Sequence, residues 1–373
     1  MSRRLRVAVV LGGRSSEHEV SVASARSVIA ALDAERYEAV TIEIDREGAW
    51  SVGAAELGAG ELRAELVATA ERHGPSSHVQ ESPSPRDKES DPQTRPEETL
   101  PVPATSGNVA RLLADVDVVF PVLHGPFGED GTVQGLLELA NVPYVGSGVM
   151  ASALCMDKDK FKDVMRANDI PVTRSLTLRE GDPPRNPFAY PVFVKPARLG
   201  SSVGITKAHD EAELREAVEL AFAHDEKVLV EEFVDGVEVE VGVLGTRGAV
   251  EVSQPGEIVV LEAEWYDYGA KYDEGAMELV IPARITPEQA SRVQELAHRA
   301  FVASECDGMV RADCFVRRDG EVLVNELNTI PGFTATSVYA KLFEASGVPY
   351  AQQLERLIEL AIARHERRSR LLF

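Results

Sequence analysis

Cysteine is nearly absent from this chain. Its 373 residues hold three, Cys155, Cys306 and Cys314, an odd number with no C-x-x-C pair, which excludes a disulfide framework and a thiolate zinc site as organising devices. A reducing, cytoplasmic setting is the expectation. Positive charge is also short: 39 Lys and Arg against 61 Asp and Glu leave a net charge of −22. That field repels phosphate backbones and anionic membranes, so neither nucleic acid nor membrane is an expected partner. No run approaches the roughly 20 apolar residues of a membrane span, and Val7 to Leu11, behind the basic start, is too short for a signal-peptide core. Aromatic residues make up only 6%, yet 44% hydrophobic and 27% charged residues are ordinary for a folded soluble enzyme and exclude a fibrous or wholly disordered chain. At about 150 residues per domain the length implies two to three domains.

What is present alternates between strand and helix. Arg6 to Leu11 is an apolar run ending in Gly12-Gly13, and Val22, Ala25, Val28, Ile29 and Leu32 then recur at helical spacing. Val116 to Leu123 reads as a second strand leading through a glycine-rich loop to a helix over Val133 to Ala140, with a short strand at Val142 to Val145. This pattern predicts an α/β N-terminal domain over residues 1–149 with a parallel sheet. Within it, Gly74 to Gly107 carries seven of the 21 prolines and six serines with no aromatic residue, a composition that cannot offset its ordering entropy and reads as a flexible surface insertion. A central domain is expected over 150–244, with a strand at Pro191 to Pro196, a helix at Glu211 to Phe222 and a strand at Val228 to Val234. The remainder, 245–373, is expected to form the last domain. There Thr286, Pro287 and Gln289 have the residue types of a capping box with proline at the first helical position, followed by the buried stripe Val293, Leu296, Ala297, Ala300 and Phe301.

Two strand-like runs, Gly308 to Val316 and Glu321 to Asn328, flank Asp319-Gly320, a leading two-residue hairpin sequence. With those residues as the turn, Arg318 faces Glu321, Asp313 faces Glu326 and Arg311 faces Asn328, and the last four project from one face. Directly opposed carboxylates repel at a Cβ separation of about 5 Å, which points to a divalent cation between them. Carboxylate and amide oxygens suit Mg²⁺, which completes its shell with phosphate and water, and Arg311 would sit over a phosphate. On this reading, replacing Asp313 or Glu326 relieves repulsion and leaves the stability of the ligand-free protein unchanged or raised.

Arg198 to Gly204 forms a Gly/Ser loop after the apolar strand Val192 to Lys195, where glycines admit backbone N–H groups to a phosphate and Lys195 adds a point charge. No G-x-x-x-x-G-K-[ST] is present, Gly12-Gly13-Arg14 lacks the dinucleotide fingerprint, and His18-Glu19 does not begin H-E-x-x-H. A nucleotide site of neither common kind is implied.

The motifs Gly12 to Ser21, His124 to Gly131, Gly200 to Gly204, Tyr268 to Tyr272 and Asn325 to Gly332 occur in an order that resembles the D-alanine:D-alanine ligases of the ATP-grasp superfamily. The resemblance spans nearly the whole chain outside the insertion. It implies an ATP-grasp pair of α+β domains after the N-terminal domain, ATP and two Mg²⁺ (or Mn²⁺) as cofactors, and a homodimer. The implied reaction joins two D-alanines through an acyl phosphate, for peptidoglycan precursors. By the same resemblance Glu17 holds the first substrate's ammonium with Ser201 and Tyr272 linked to it, and His124 lies near that substrate. Lys158, Lys195 and Ser202 belong to the phosphate site. Glu231, Glu232, Phe233 and Val234 form the adenine hinge, and Glu238 binds ribose. Asp313, Glu326 and Asn328 are the metal ligands. Arg311 and the N–H of Gly332 are the oxyanion donors, while Lys271, Ser337 and the N–H of Val338 take the second substrate's carboxylate. Ala340 and Leu199 depart from the usual family residues without touching an implied catalytic role. Lys271-Tyr272, where D-lactate-using relatives carry histidine, argues against a D-alanine:D-lactate ligase; an inactive ATP-grasp protein would lack a metal ligand or phosphate lysine, and none is missing.

Overall fold

The computed structural model of the chain describes residues 3–52, 112–261 and 277–372. The proline-rich insertion and Lys271 and Tyr272 lie outside the described residues.

The first sheet is ordered β3-β2-β1-β4, with β1 (Leu5–Gly12) parallel to both β2 (Tyr37–Ile44) and β4 (Val118–Pro121), and β3 (Trp50–Val52) antiparallel at one edge. The two inner runs, β1 from Val7 on and β4, are apolar and buried because both their faces are covered, whereas β2 and β3 carry polar residues toward the edge. Val7, Val9 and Leu11 point to one core, Ala8 and Val10 to another. Helix α1 (His18–Ala31) follows the first turn, where Gly12 at φ +88° leaves a Cβ no space: it would sit 2.2 Å from the carbonyl of Ile44. α2 (Thr132–Leu139) matches its expected position, whereas Val142 to Val145 is not a strand and makes only an isolated bridge through Tyr144.

After α3 (Val149–Met156) and α4 (Lys158–Ala167) come two antiparallel sheets. The smaller is ordered β5-β8-β6-β7, from β5 (Ser175–Arg179), β6 (Val192–Pro196), β7 (Thr206–Ala208) and β8 (Lys227–Glu232), with α5 (Glu211–Phe222) across it. The larger runs β12-β11-β9-β13-β14, from β9 (Gly236–Thr246), β11 (Gly256–Val260), β12 (Met277–Val280), β13 (Gly308–Arg317) and β14 (Val322–Asn328), with β10 (Ala249–Val252) paired to β9. The expected boundary after 244 therefore cuts through β9, which pairs with the whole length of β13, from Gly236 opposite Arg317 to Gly245 opposite Gly308. α6 (Pro287–Ala303) opens with the expected capping box and buries the expected five-residue stripe.

The chain then returns. α7 (Val338–Ala345) and α8 (Tyr350–Arg368) place Tyr339, Phe343, Leu354 and Leu357 in the same core as Val7, Val9 and Phe120 of the first sheet. Buried Arg364 donates to the carbonyl of Tyr144 at 2.8 Å and to that of Gly146. The C-terminal segment thus packs on both the first sheet and the last one.

The hairpin differs from its expected form in an instructive way. Its loop has three residues, Arg318 to Gly320, closed by Arg317 N–H to Glu321 O at 2.8 Å with Gly320 at φ +91°. Arg317, not Arg318, faces Glu321, and the register near the turn is shifted by one, with Cys314 opposite Val324. A bulge at Asn325 then absorbs one extra residue, so Asp313 faces Glu326 and Arg311 faces Asn328 as expected.

Candidate active site

The loop after β1 and the loop after β6 meet at Glu17 and Ser201: the Ser201 hydroxyl donates to the Glu17 carboxylate across 184 positions of sequence. Glu17 heads α1 but makes no capping bond there, so its carboxylate is turned into the site. Gly125, at φ +72°, permits this approach, since a Cβ there would lie 2.9 Å from Glu17 Oε2. Ser201 and Ser202 themselves hold positive φ of 48° and 58°, a strained backbone of the kind that clusters at ligand-binding turns.

Beside this pair lies Glu129, within the His124 to Gly131 motif, whose sequence alone points to no role for it. It accepts the N–H of Gly125 at 3.0 Å and of Ile330 at 3.2 Å, tying the loop after β4 to the loop after β14. Burial and the neighbouring Glu17 charge push its pKa up to about 8 despite those bonds. Only the fold brings these carboxylates together, so no local sequence pattern could have found the perturbation.

His124 is buried, with Nδ1 at 2.8 Å from the Ile330 carbonyl and Nε2 at 3.4 Å from Ser24 Oγ. A carbonyl only accepts, so Nδ1 carries the proton and Nε2 takes the serine hydroxyl. Ser24 Oγ in turn accepts the N–H of Phe333 at 3.3 Å. Burial pulls the histidine pKa down. The ring therefore anchors the loop from Ile330 to Phe333, which carries Gly332; its nitrogens are occupied within the protein instead of being presented to a substrate. Ser24 is a second residue missed from sequence, where it reads as one more helical serine.

A cleft of about 440 Å³ opens between the two antiparallel sheets, lined by Lys158, Lys195, Ser202, Glu231 to Val234, Glu238, Asp313 and Glu326. Asp157 caps α4 and Lys158 N–H bonds the Ala197 carbonyl, which sets the Lys158 side chain against the Leu199 carbonyl at 2.7 Å and Glu326 at 3.2 Å. Lys195 pairs with Glu231. Burial raises the pKa of Glu231, but the Lys162 and Lys195 ammoniums outweigh it and hold it at about 2. The Glu232 carboxylate is bound by Arg174, at 3.0 Å from its N–H and 2.8 Å from Nε, so what this residue offers the cleft is backbone. Phe233 is 41% exposed, with Lys207 Nζ 4.8 Å from its ring centroid, an apolar surface at the cleft edge.

On the hairpin face, Arg311 grips Asp313 through two bonds of 2.7 Å and also pairs with fully buried Glu240 at 3.0 Å; Asn328 Nδ2 donates to Asp313 at 3.0 Å. Repulsion between Asp313 and Glu326 is thus already offset by Arg311 and Lys158. No three Asp, Glu, His or Cys side chains gather into a ready metal cluster among the described residues. The donor set is two carboxylates and an amide, all hard oxygen donors on one face, which fits a cation that takes its remaining ligands from phosphate and water. Gly332 and Ser337 lie close together: a Cβ on Gly332 would be 3.4 Å from Ser337 Oγ, which accepts the N–H of Thr334 at 3.0 Å. Ser337 starts α7, so Val338 presents one of the unpaired N–H groups of a helix N-terminus.

Family models for the D-ala D-ala ligase N-terminus and C-terminus match residues 6–147 and 164–359. The chain belongs to the D-alanine–D-alanine ligase family. It is 44% identical over 98% of its length to a D-alanine–D-alanine ligase of Nocardia farcinica, covering 99% of that protein, and 45% identical over 97% to one of a Mycobacterium species (strain KMS), covering 98% of it. The solved D-alanine-D-alanine ligase of Coxiella burnetii superposes with a TM-score of 0.75 at 34% identity, covering 98% of this chain and 97% of that one. The VanG D-Ala:D-Ser ligase of Enterococcus faecalis gives the same score and identity, with 96% and 100% covered. The ATP-grasp fold expected from the sequence motifs is the fold of this family, and the chain is an ATP-dependent ligase. Among the described residues no helix is long and apolar enough to cross a membrane.

Proposed function

We propose that this ligase joins two D-alanines with the residues assembled around the cleft, each in the role its geometry suits. Glu17, with the Ser201 hydroxyl on it, receives the ammonium of the first D-alanine. The carboxylate of that first D-alanine attacks the γ-phosphate of ATP, releasing ADP and leaving a D-alanyl acyl phosphate. Lys158, Lys195 and Ser202 hold the polyphosphate, whose charge the two ammoniums offset. Phe233, Val234 and the backbone of Glu232 cover adenine, Glu231 accepts from it and Glu238 takes the ribose.

Asp313, Glu326 and Asn328 would hold two Mg²⁺ or Mn²⁺ ions, which supply charge stabilisation on the transferring phosphoryl group. The second D-alanine binds by its carboxylate at Ser337, the Val338 N–H and Lys271, and Tyr272 joins Ser201 as a hydroxyl partner of Glu17. Its amine, once deprotonated, attacks the acyl carbon. The oxyanion of the tetrahedral intermediate accepts from Arg311 and the Gly332 N–H, and collapse expels phosphate. Arg311 suits this because Asp313 and Glu240 fix its guanidinium plane in advance.

The observation that supports the reading is that Lys158, Glu326 and Asn328 line one pocket with Glu129, which lies beside the Glu17–Ser201 pair. Phosphate release with D-alanine, L-alanine and D-lactate, with products identified by mass spectrometry, tests it. Turnover and D-alanyl-D-alanine are expected with D-alanine plus Mg²⁺; equal turnover with L-alanine alone refutes the reading.

A further inference from the structure

We propose that Lys162, one turn beyond Lys158 on α4, is a positioning residue that fixes the Glu231 carboxylate for selection of a 6-amino purine. The proposal rests on the reading of Glu231 as the adenine contact. Lys162 stands behind the cleft wall: its side chain is 1% exposed, and its Nζ lies 2.8 Å from Glu231 Oε1. The same ammonium donates to the hydroxyl of Thr173 and lies 3.3 Å from the Thr173 carbonyl. Lys195 pairs with the other Glu231 oxygen, and Thr173, Glu231 and Lys195 all line the cleft.

Burying an ammonium is costly unless it is paired and hydrogen-bonded, and here the pairing acts on the cleft from outside it. Held by a cation at each oxygen, the carboxylate stays ionised, an acceptor only, with its plane fixed. Adenine presents an amino donor at position 6, which suits that acceptor. Hypoxanthine presents a carbonyl, and acceptor against acceptor repels. Without Lys162, Glu231 keeps Lys195 alone and can swing toward it, so it no longer enforces the choice.

The test compares ATP with ITP, which differs at position 6, as phosphate donor in the D-alanine reaction of the full chain. Lys162→Met is expected to lower the ATP/ITP ratio of kcat/KM by about tenfold through the nucleotide KM, leaving the KM for D-alanine within about twofold. Lys162→Gln, which keeps donors for Glu231 and Thr173, is expected to restore part of the ratio. An equal fall with both nucleotides marks a merely structural residue and overturns the proposal. Should Lys162→Met not fold, Lys162→Ala takes its place, and a wild-type ratio there overturns the proposal. Glu231→Gln separates the two levels: an unchanged ratio there refutes the adenine reading itself. A changed ratio there with an unchanged one in Lys162→Met refutes only the role of Lys162.

Discussion

Replacing Asp313 with asparagine removes the acceptor of two Arg311 bonds of 2.7 Å and of one Asn328 bond at 3.0 Å. The new amide can accept from one donor, but its NH₂ then faces another. Arg311 retains Glu240, which is completely buried. Hydrogen bonds involving charged groups contribute about 1.5–3 kcal/mol each, and a stranded buried donor costs about 1–3. The net loss is about 3 kcal/mol, since Glu240 continues to neutralise the guanidinium. At about 2–4 °C per kcal/mol for a cooperative unit of 150–250 residues, the melting temperature of the ligand-free protein should fall by roughly 6–12 °C. Glu326→Gln breaks one pair with Lys158 at 3.2 Å, whose ammonium keeps the Leu199 carbonyl, and relieves repulsion with Asp313 and Glu129. The pair is largely buried, so its loss costs stability that the relieved repulsion partly offsets, and the net effect should be smaller than that of Asp313→Asn. The simple repulsion argument expects both variants to be at least as stable as wild type; the arginine clamp separates them. Thermal unfolding by calorimetry without nucleotide decides, and an Asp313→Asn protein as stable as wild type refutes the clamp.

Two further outcomes follow from the loops. Glu129 has its folded pKa raised from 4.5 to about 8, so its contribution to stability is present below about 4.5 and declines as pH rises through 8. Relative to Glu129→Gln, wild type should therefore lose on the order of 4 kcal/mol between pH 5 and pH 8.5; parallel melting curves across that range would contradict the assignment. Ser24→Ala removes the link between His124 and the Phe333 N–H, and should lower kcat about tenfold with the ATP KM unchanged, because the Gly332 N–H is no longer held for the oxyanion. A shift in ATP KM alone would argue against this role.

Much of the fold was legible from the chain. The apolar strand ending in Gly12-Gly13, the capping box at Thr286 and the five-residue stripe of α6 are local patterns, set by periodicity and turn chemistry over a few residues, and the helix Glu211–Phe222 was bounded correctly for the same reason. The ordered motifs identified the family and drew most of the site's residues into one list. Tertiary structure decided what depends on distant segments. The pairing of Asp313 with Glu326 was expected on a two-residue turn, yet it arises from a three-residue turn corrected by a bulge at Asn325, since strand pairing on both sides sets register more strongly than turn sequence does. β9 belongs to the last sheet because the whole of β13 pairs with it, and the C-terminal helices cover the first sheet because that sheet has two apolar faces to bury. His124 became an anchor, Glu129 an elevated acid and Lys162 the buried partner of Glu231 only where segments far apart in sequence met, because burial and the charge of a neighbour belong to the folded site and not to the residue.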